Sequence, residues 1–144
     1  MGELLNTVKT FYERFGAGDL EGAVELFDPD IDDVSPTGAT RGVDGFRATG
    51  EIFKGAFPDS GMTILSAIET EDTVVVEGLY AGTHTGTLAT PMGDVPATGR
   101  AISLPYCDLF RFDGARIVAH HVYWDQVTFM TQLGLMPGGP PQEA

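Results

Sequence analysis

The residues best suited to proton chemistry lie near the end of the sequence, in the segment AHHVYWDQ from Ala119 to Gln126. Histidine, tyrosine and aspartate side chains can all accept, donate or hold a proton. The β-branched and aromatic residues up to Trp124 are typical of a strand, and helical spacing follows them. Asp125 stands where the predicted strand meets the predicted helix, so it can cap that helix or act in a pocket, and the two roles are not exclusive.

Successive side chains of a strand point to opposite faces, so this segment divides into two rows. One row contains His121, Tyr123 and Asp125, and the other contains Val118, His120, Val122 and Trp124. The two adjacent histidines therefore point apart and cannot jointly bind a metal ion, and the histidine spacing matches no known zinc pattern. We expect the first row to line a pocket and the second row to face a partner subunit.

A second carboxylate, Asp108, falls inside a predicted core. In the predicted strand 99–112, alternation places Asp108 on one face with Ile102, Leu104, Tyr106, Phe110 and Phe112. A buried carboxylate is costly unless it is paired or neutralised, and functional sites often carry that cost. The alternatives are a bulge that turns Asp108 outward or a pairing with an arginine.

The preceding predicted strand completes a pocket. Its residues Gly78 and Gly82 leave room beside the backbone and share a face with Tyr80 and His84. The predicted pocket is surrounded by Tyr80, His84, Tyr106, Asp108, Tyr123 and Asp125. The sequence contains neither the GxSxG motif of serine hydrolases nor a phosphate-binding glycine loop.

The elements that must position these residues change from helices to strands along the chain. Helical spacing predicts helices over 4–15, 19–27 and 43–57, the second capped by Asp19 and stopped by Pro29. A short strand is predicted over 31–34, and the Pro, Gly and Thr content of 35–42 predicts a loop. Strands are predicted over 62–69, 73–88, 99–112 and 116–125, with a tight hairpin turn at Asp113-Gly114.

A short helix is predicted over 126–133, ending at Gly134. Helices clustered before strands favour an α+β fold in which an antiparallel sheet curls over three N-terminal helices. We expect a single domain over residues 1–136 and a disordered tail over 137–144.

The charge of the chain limits its partners. The 144 residues carry 8 basic and 21 acidic side chains, a net charge of −13. This balance argues against nucleic acid and anionic membrane surfaces, and it favours uncharged ligands. No apolar run is long enough to cross a membrane, and the first residues lack the pattern of a secretion signal, so we expect a cytoplasmic protein.

Several stretches together resemble the nuclear transport factor 2-like cone fold, which includes ketosteroid isomerase, and more closely the SnoaL-like polyketide cyclases or ester cyclases. The resemblance rests on FYERFGAGDLEGAVELFDPD, AFPD, GTHTGTL, ATGR, FRFDGARIVAHHVYWDQ and QLGL, in that order along nearly the whole chain. It implies a cone-shaped α+β barrel.

The resemblance also implies a reaction. In these cyclases an aspartate at the end of the last strand is the general acid/base of an intramolecular aldol closure, and by position that residue is Asp125. The reaction needs no cofactor and no metal, and Tyr106, Tyr123 or His84 could stabilise the enolate oxygen. The expected catalytic residues are Asp125, His84 and Asp108, and the expected substrate-binding residues are Phe53, Phe57, Tyr80, Tyr106, His121 and Tyr123.

One departure from the isomerase argues against the isomerase reaction in this chain. That family carries its base just before a proline, where this chain has Ser35 before Pro36, with Asp32 and Asp33 close but shifted. Steroid-type isomerisation is therefore disfavoured. An epoxide hydrolase, a hydroxylase-like enzyme and a non-catalytic ligand-binding dimer remain open alternatives. We expect a homodimer through the outer sheet face that carries Val118, Val122 and Trp124.

Overall fold

The computed structural model describes residues 2–136 of the chain, so the predicted tail 137–144 lies outside the described residues. Within these described residues, four helices and eight strands follow one another. They are α1 Glu3–Gly16, α2 Leu20–Val24, β1 Phe27–Ser35, β2 Gly38–Arg41, α3 Val43–Ala56, β3 Gly61–Glu69, β4 Thr73–Thr83, β5 Leu88–Thr90, β6 Gly93–Val95, β7 Ala101–Asp113, β8 Arg116–Trp124 and α4 Gln126–Gln132.

Six of the strands form one sheet in the order β2-β1-β8-β7-β4-β3, and β5 pairs with β6 in a separate hairpin. Neighbouring strands are antiparallel except β1 and β8, which run parallel. Three helices precede the long antiparallel strands and a short helix ends the domain. The predicted α+β class, with helices packed on a curled sheet, is confirmed.

Two predicted boundaries were wrong in the first half. The segment 35–42 is not all loop, because β2 pairs with β1 there. The second helix ends at Val24 rather than Phe27. Phe27 instead begins β1, pairs with Ile117 of β8 and packs against Phe46, with ring centroids 4.9 Å apart. Long-range pairing of the backbone therefore prevailed over local helical spacing.

A β-bulge in β8 decides which side chains face inward. Phe112 pairs with Ile117 and Phe110 pairs with His120, so three steps along β8 match two along β7. The extra residue reverses the alternation from that point onward. His120, Val122 and Trp124 consequently face the helices. The predicted assignment of the two rows of β8 was inverted, because it assumed a regular strand.

The helices cover the inner face of the sheet with a core rich in aromatic rings. Phe11 of α1 lies at its centre, with ring centroids 5.3 Å from Phe27, 5.6 Å from Phe46 and 5.7 Å from Phe110. Within residues 2–136, no helix combines the length and apolar character needed to cross a membrane.

Candidate functional site

A cavity of about 90 Å³ lies between the helices and the inner face of the sheet. Its apolar wall includes Phe11, Phe15, Phe46, Phe53, Met62, Leu104, Val122 and Trp124. Its polar side chains are Asp33, Ser35, Thr49, Tyr80, Tyr106, Asp108 and His120. A mostly apolar wall with a few grouped polar side chains is the usual composition of a small-molecule site.

Four buried side chains form one hydrogen-bonded chain at this cavity. His120 Nδ1 lies 2.9 Å from Asp33 Oδ1, and His120 Nε2 lies 3.1 Å from Asp108 Oδ1. The Tyr12 hydroxyl donates to Asp108 Oδ2 at 2.6 Å. Asp108 is fully buried and the other three residues are nearly so. We refer to Asp33, His120, Asp108 and Tyr12 as the carboxylate–imidazole chain.

Four elements supply this chain, namely α1, β1, β7 and β8. Asp33 of β1 is the direct backbone partner of His120 in the parallel β1–β8 pair. Asp108 lies on the neighbouring strand β7, and Tyr12 reaches it from α1. The ring of Phe110 stacks on the His120 imidazole with centroids 5.0 Å apart, which fixes the plane of the imidazole.

The imidazole holds a positive charge. Burial by itself lowers the pKa of His120, but the negative charges and hydrogen bonds of Asp108 and Asp33 outweigh it and raise the pKa to about 10. At neutral pH both ring nitrogens therefore carry hydrogen and donate to the two carboxylates. Burial and the Asp108 charge raise the pKa of Tyr12, so its hydroxyl stays protonated.

Two further hydroxyls in the cavity wall, those of Tyr80 and Tyr106, make no hydrogen bond of standard geometry within residues 2–136. Burial raises the pKa of Tyr106, and the nearby Tyr12 hydroxyl offsets part of this rise. Burial raises the pKa of Tyr80 to about 12, and the nearby Ser60 hydroxyl offsets part of this rise. The Ser60 and Tyr80 hydroxyls do not form a hydrogen bond of standard geometry with each other. A Cβ at Gly78 would collide with the Tyr106 hydroxyl, so glycine makes room for that side chain. Both phenols can donate to an oxygen of a bound molecule.

The structure brings together some of the predicted site residues. Asp108, Tyr106, Tyr80 and Phe53 all line the cavity, and Asp108 lies on the buried face as the alternation in its strand predicted. Its partners are His120 and Tyr12 rather than an arginine.

Asp125 lies elsewhere. Its carboxylate caps α4, accepting from the Val127 backbone N–H at 3.0 Å and from the Thr128 hydroxyl at 2.7 Å. The bonds from Thr128 and Val127 hold the pKa of this exposed carboxyl below its usual range. The side chain does not line the cavity. The expectation that it faces the cavity was wrong, because it turns to the N–H groups of its own helix.

His121 and Tyr123 also lie outside the cavity, since the bulge in β8 turns them to the outer face. His121 Nε2 lies 3.0 Å from Asp32 Oδ2, and Tyr123 is 54% exposed. Val122 and Trp124, expected on the outer face, line the cavity instead.

His84 and Phe57 form a buried layer behind the cavity wall. The two rings have centroids 5.2 Å apart, and Phe57 in turn lies 6.2 Å from the cavity-lining Tyr80. His84 Nδ1 lies 2.9 Å from the Thr98 hydroxyl and accepts from the Thr98 backbone N–H at 3.2 Å. Burial lowers the pKa of His84. The contacts of His84 with Thr98 join the two ends of the segment 84–98, which carries the β5–β6 hairpin.

Three members of the carboxylate–imidazole chain were not among the predicted site residues: Asp33, His120 and Tyr12. For Asp33 a signal was present, because alternation in the predicted strand 31–34 puts it on the same face as Ile31, which is fully buried. For Tyr12 the helical spacing of the first helix likewise predicted a buried side chain, but its partner Asp108 lies 96 positions away. For His120 the sequence offered no comparable signal, since its orientation depends on a bulge.

Comparisons with known proteins show the family and the fold of this chain. The family model of the SnoaL-like polyketide cyclases matches residues 6–133. No curated protein sequence matches the chain. IdmH, a candidate polyketide cyclase from Streptomyces antibioticus, is 31% identical, with a TM-score of 0.76 over 90% of this chain and 97% of its own.

Two further solved structures resemble this one. AclR, a candidate hydroxylase from Streptomyces galilaeus, is 25% identical with a TM-score of 0.81, over 97% of this chain and 86% of its own. A candidate SnoaL-like polyketide cyclase from Jannaschia sp. CCS1 is 20% identical with a TM-score of 0.82, over 94% of each chain. The likeness to the Jannaschia protein supports the fold alone.

Proposed function

Because the chain belongs to the SnoaL-like polyketide cyclase family, we propose that it is an enzyme that closes a ring by intramolecular aldol chemistry. Its substrate is a bulky, mostly uncharged small molecule. The observation that carries this proposal is the carboxylate–imidazole chain, which is buried and ends at the cavity in the carboxylate of Asp33. Buried titratable groups held by charged partners beside a cavity are typical of acid/base sites.

Asp33 is the member of the chain that can exchange a proton with a substrate. Both nitrogens of His120 are bonded to carboxylates, and both oxygens of Asp108 accept hydrogen bonds. Asp33 lines the cavity and uses only Oδ1 in its bond to His120, so within residues 2–136 its Oδ2 has no hydrogen bond. We therefore assign the general acid/base role to Asp33 in place of Asp125, and we assign His120 and Asp108 the role of positioning it.

The positions of these groups support the following course for the proposed reaction. Asp33 takes the proton from a carbon flanked by carbonyl groups, and the hydroxyls of Tyr80 and Tyr106 donate to the enolate oxygen. The enolate carbon then attacks a second carbonyl carbon of the same molecule, forming the new C–C bond. The proton held by Asp33 passes to the resulting alkoxide. Each proton and electron pair is accounted for within the substrate and Asp33, and the His120 imidazolium stabilises the carboxylate at the start and end.

The test is to supply an aromatic β-polyketo ester and to look for its ring closure. Chromatography and mass spectrometry detect the product, whose mass is either unchanged or lower by one water molecule. We expect Asp33→Asn to lower the rate of closure by at least about 100-fold, since acid/base groups contribute that much. Asp125→Asn, the matched change at the α4 cap, should leave the rate within a few fold. Loss of activity in Asp125→Asn with activity kept in Asp33→Asn would return the role to Asp125.

A second candidate is hydroxylation, which the likeness to AclR favours. The same assay separates the two reactions, because a hydroxylated product gains one oxygen atom while an aldol product does not. Detection of that mass gain, without ring closure, would replace the aldol proposal.

We also propose the expected homodimer, but through a different set of side chains on the sheet. Val122 and Trp124 cannot serve, because they line the cavity. The outer face of the sheet instead carries a row formed by the cross-strand partners Ile68, Val75 and Leu109, and Ile68 is 63% exposed. We expect Ile68→Asp to halve the solution mass measured by light scattering, and a monomeric wild-type protein would contradict the dimer.

A further inference from the structure

The cavity is small for the molecule that the proposed function requires. Sites for drug-sized ligands span roughly 300–1,000 Å³, whereas this cavity has about 90 Å³. A second concavity of about 400 Å³ lies on the surface between α1 and β3. It is lined by Lys9, Tyr12, Glu13, Gly16, Gly61, Met62 and Ile64, and we call it the α1–β3 groove.

Two side chains, those of Met62 and Tyr12, form the partition between the two spaces. Among residues 2–136, Met62 is the residue that lines both the cavity and the α1–β3 groove. It lies on β3, half-buried, directly opposite the cavity-lining Tyr80 on β4. Tyr12 stands beside it in the partition, since it lines the groove while its hydroxyl bonds to the cavity-lining Asp108.

The two members of this partition differ in how freely they can move. Tyr12 is held by its 2.6 Å hydrogen bond to the charged Asp108, which is buried and also bonded to His120. Met62 has no polar atom to satisfy, and its unbranched side chain has three rotatable bonds. A rotation of Met62 would therefore join the two spaces without breaking the carboxylate–imidazole chain.

We propose that the substrate spans both spaces, and that Met62 is the specificity-determining side chain between its reacting end in the cavity and its far end in the α1–β3 groove. The inference rests on the proposed function for the identity of the reacting end. It deepens that function by naming the class of substrate: an elongated molecule, longer than the cavity, with an oxygen-bearing and uncharged far end.

The lining of the groove indicates that class. Lys9 and Glu13 stand one helical turn apart on α1 and supply a donor and an acceptor. Hydroxyl or carbonyl groups can bond to both. An anionic end would meet Glu13, and a cationic end would meet Lys9, so neither charge is favoured.

The experiment compares two uncharged probes that share a phenol and differ in reach, 4-(2-hydroxyethyl)phenol and 4-(6-hydroxyhexyl)phenol. Calorimetric titration of the wild-type protein should give at least about tenfold tighter binding of the longer probe, because its extra methylene groups leave water. Met62→Trp should remove that advantage, and Met62→Ala should keep or increase it. Leu65 on β3 is 62% exposed and lines neither space, so Leu65→Ala is the matched control. Binding of the shorter probe, and of both probes to Leu65→Ala, should change less than about threefold.

A second measurement uses the wild-type protein alone, so it does not depend on how the variants fold. In two-dimensional NMR spectra, the longer probe should shift the amide signals of Lys9, Gly16 and Gly61, and the shorter probe should not. Equal affinities of the two probes, or a longer probe that leaves those signals in place, would overturn the proposal. Because both measurements concern binding, they can fail while ring closure succeeds, or succeed while ring closure fails.

Discussion

Two histidine–aspartate pairs lie side by side between β1 and β8, one in the cavity wall and one at the outer face. His120 lies 2.9 Å from Asp33, with side chains 8% and 11% exposed. His121 lies 3.0 Å from Asp32, with side chains 25% and 42% exposed. The residue types and distances are nearly the same, so the sequence offers no way to rank the two pairs by composition.

Burial and one additional carboxylate separate the two pairs. His120 has a second partner in Asp108, and the raised pKa of His120 follows from that pair of negative charges in a buried position. The His121 pair is a single contact that solvent screens, and pairs of that kind contribute at most about 1 kcal/mol. The comparison teaches that the environment of each histidine–aspartate pair depends on which face of β8 carries the histidine. The bulge in β8 decides that face.

The largest expected effect is on stability when each histidine is removed in turn. His120→Gln should lower the free energy of unfolding by about 3–5 kcal/mol, because it leaves two buried carboxylates without their cation. His121→Gln should lower it by less than about 1 kcal/mol. Urea denaturation followed by circular dichroism measures both. Similar values for the two variants would break the comparison.

The pH dependence of stability sharpens the same contrast. The ordinary pKa of histidine is about 6.5, and in the folded protein that of His120 rises to about 10. The folded state therefore holds this proton more tightly than the unfolded chain does, so the stabilisation is complete below about pH 6.5 and is lost as the pH rises towards 10.

We expect the difference in unfolding free energy between the wild-type protein and His120→Gln to shrink by a few kcal/mol over that interval. A constant difference for His120→Gln would show that the imidazole is not held as a cation.

A smaller effect is expected at the far end of the carboxylate–imidazole chain. Tyr12→Phe removes the hydrogen bond to Asp108 while keeping the ring, and bonds to charged groups contribute about 1.5–3 kcal/mol. Tyr123→Phe, at an exposed tyrosine of the outer face, should change stability by no more than about 0.5 kcal/mol. Thermal unfolding of both variants at one pH gives the comparison, and equal midpoints would place Tyr12 with the surface residues.

The smallest expected effect concerns Asp125, which belongs with the exposed group. Asp125→Ala should cost about 1 kcal/mol of unfolding free energy, the usual loss for a helix cap, and should leave the affinity for a cavity ligand unchanged. A stability change near zero together with weaker ligand binding would move Asp125 from the outer group to the site.

The sequence predicted most of the fold but only part of the candidate site. Periodicity predicted α1, α3 and the long strands, and the turn at Asp113-Gly114 has the expected left-handed glycine. Alternation in β7 placed Asp108 correctly, because that strand is regular as far as its residue Arg111. Local patterns were sufficient wherever the local structure was regular.

The rest depended on events that local patterns do not encode. The bulge in β8 exchanges the inward and outward rows, so the same rule that succeeded for Asp108 failed for His120. The parallel pairing of β1 with β8 brings Asp33 to His120, which lies 87 positions away in the sequence. No short-range pattern indicates that the two residues are partners. Asp125 was assigned by its position along the chain, whereas its orientation is decided by the unpaired N–H groups of α4.

The parallel pairing of β1 with β8 also has a consequence for how the protein is made. Synthesis on the ribosome proceeds from the N-terminus, so Asp33 emerges with the β1–β2 hairpin long before His120 and Asp108 exist. Until β8 arrives, the inner edge of β1 is an unpaired strand edge, a surface prone to association with other chains. The last long strand therefore completes the carboxylate–imidazole chain and closes that edge in a single step, so that a stalled or truncated chain lacks the proposed acid/base site and carries an aggregation hazard at the same time.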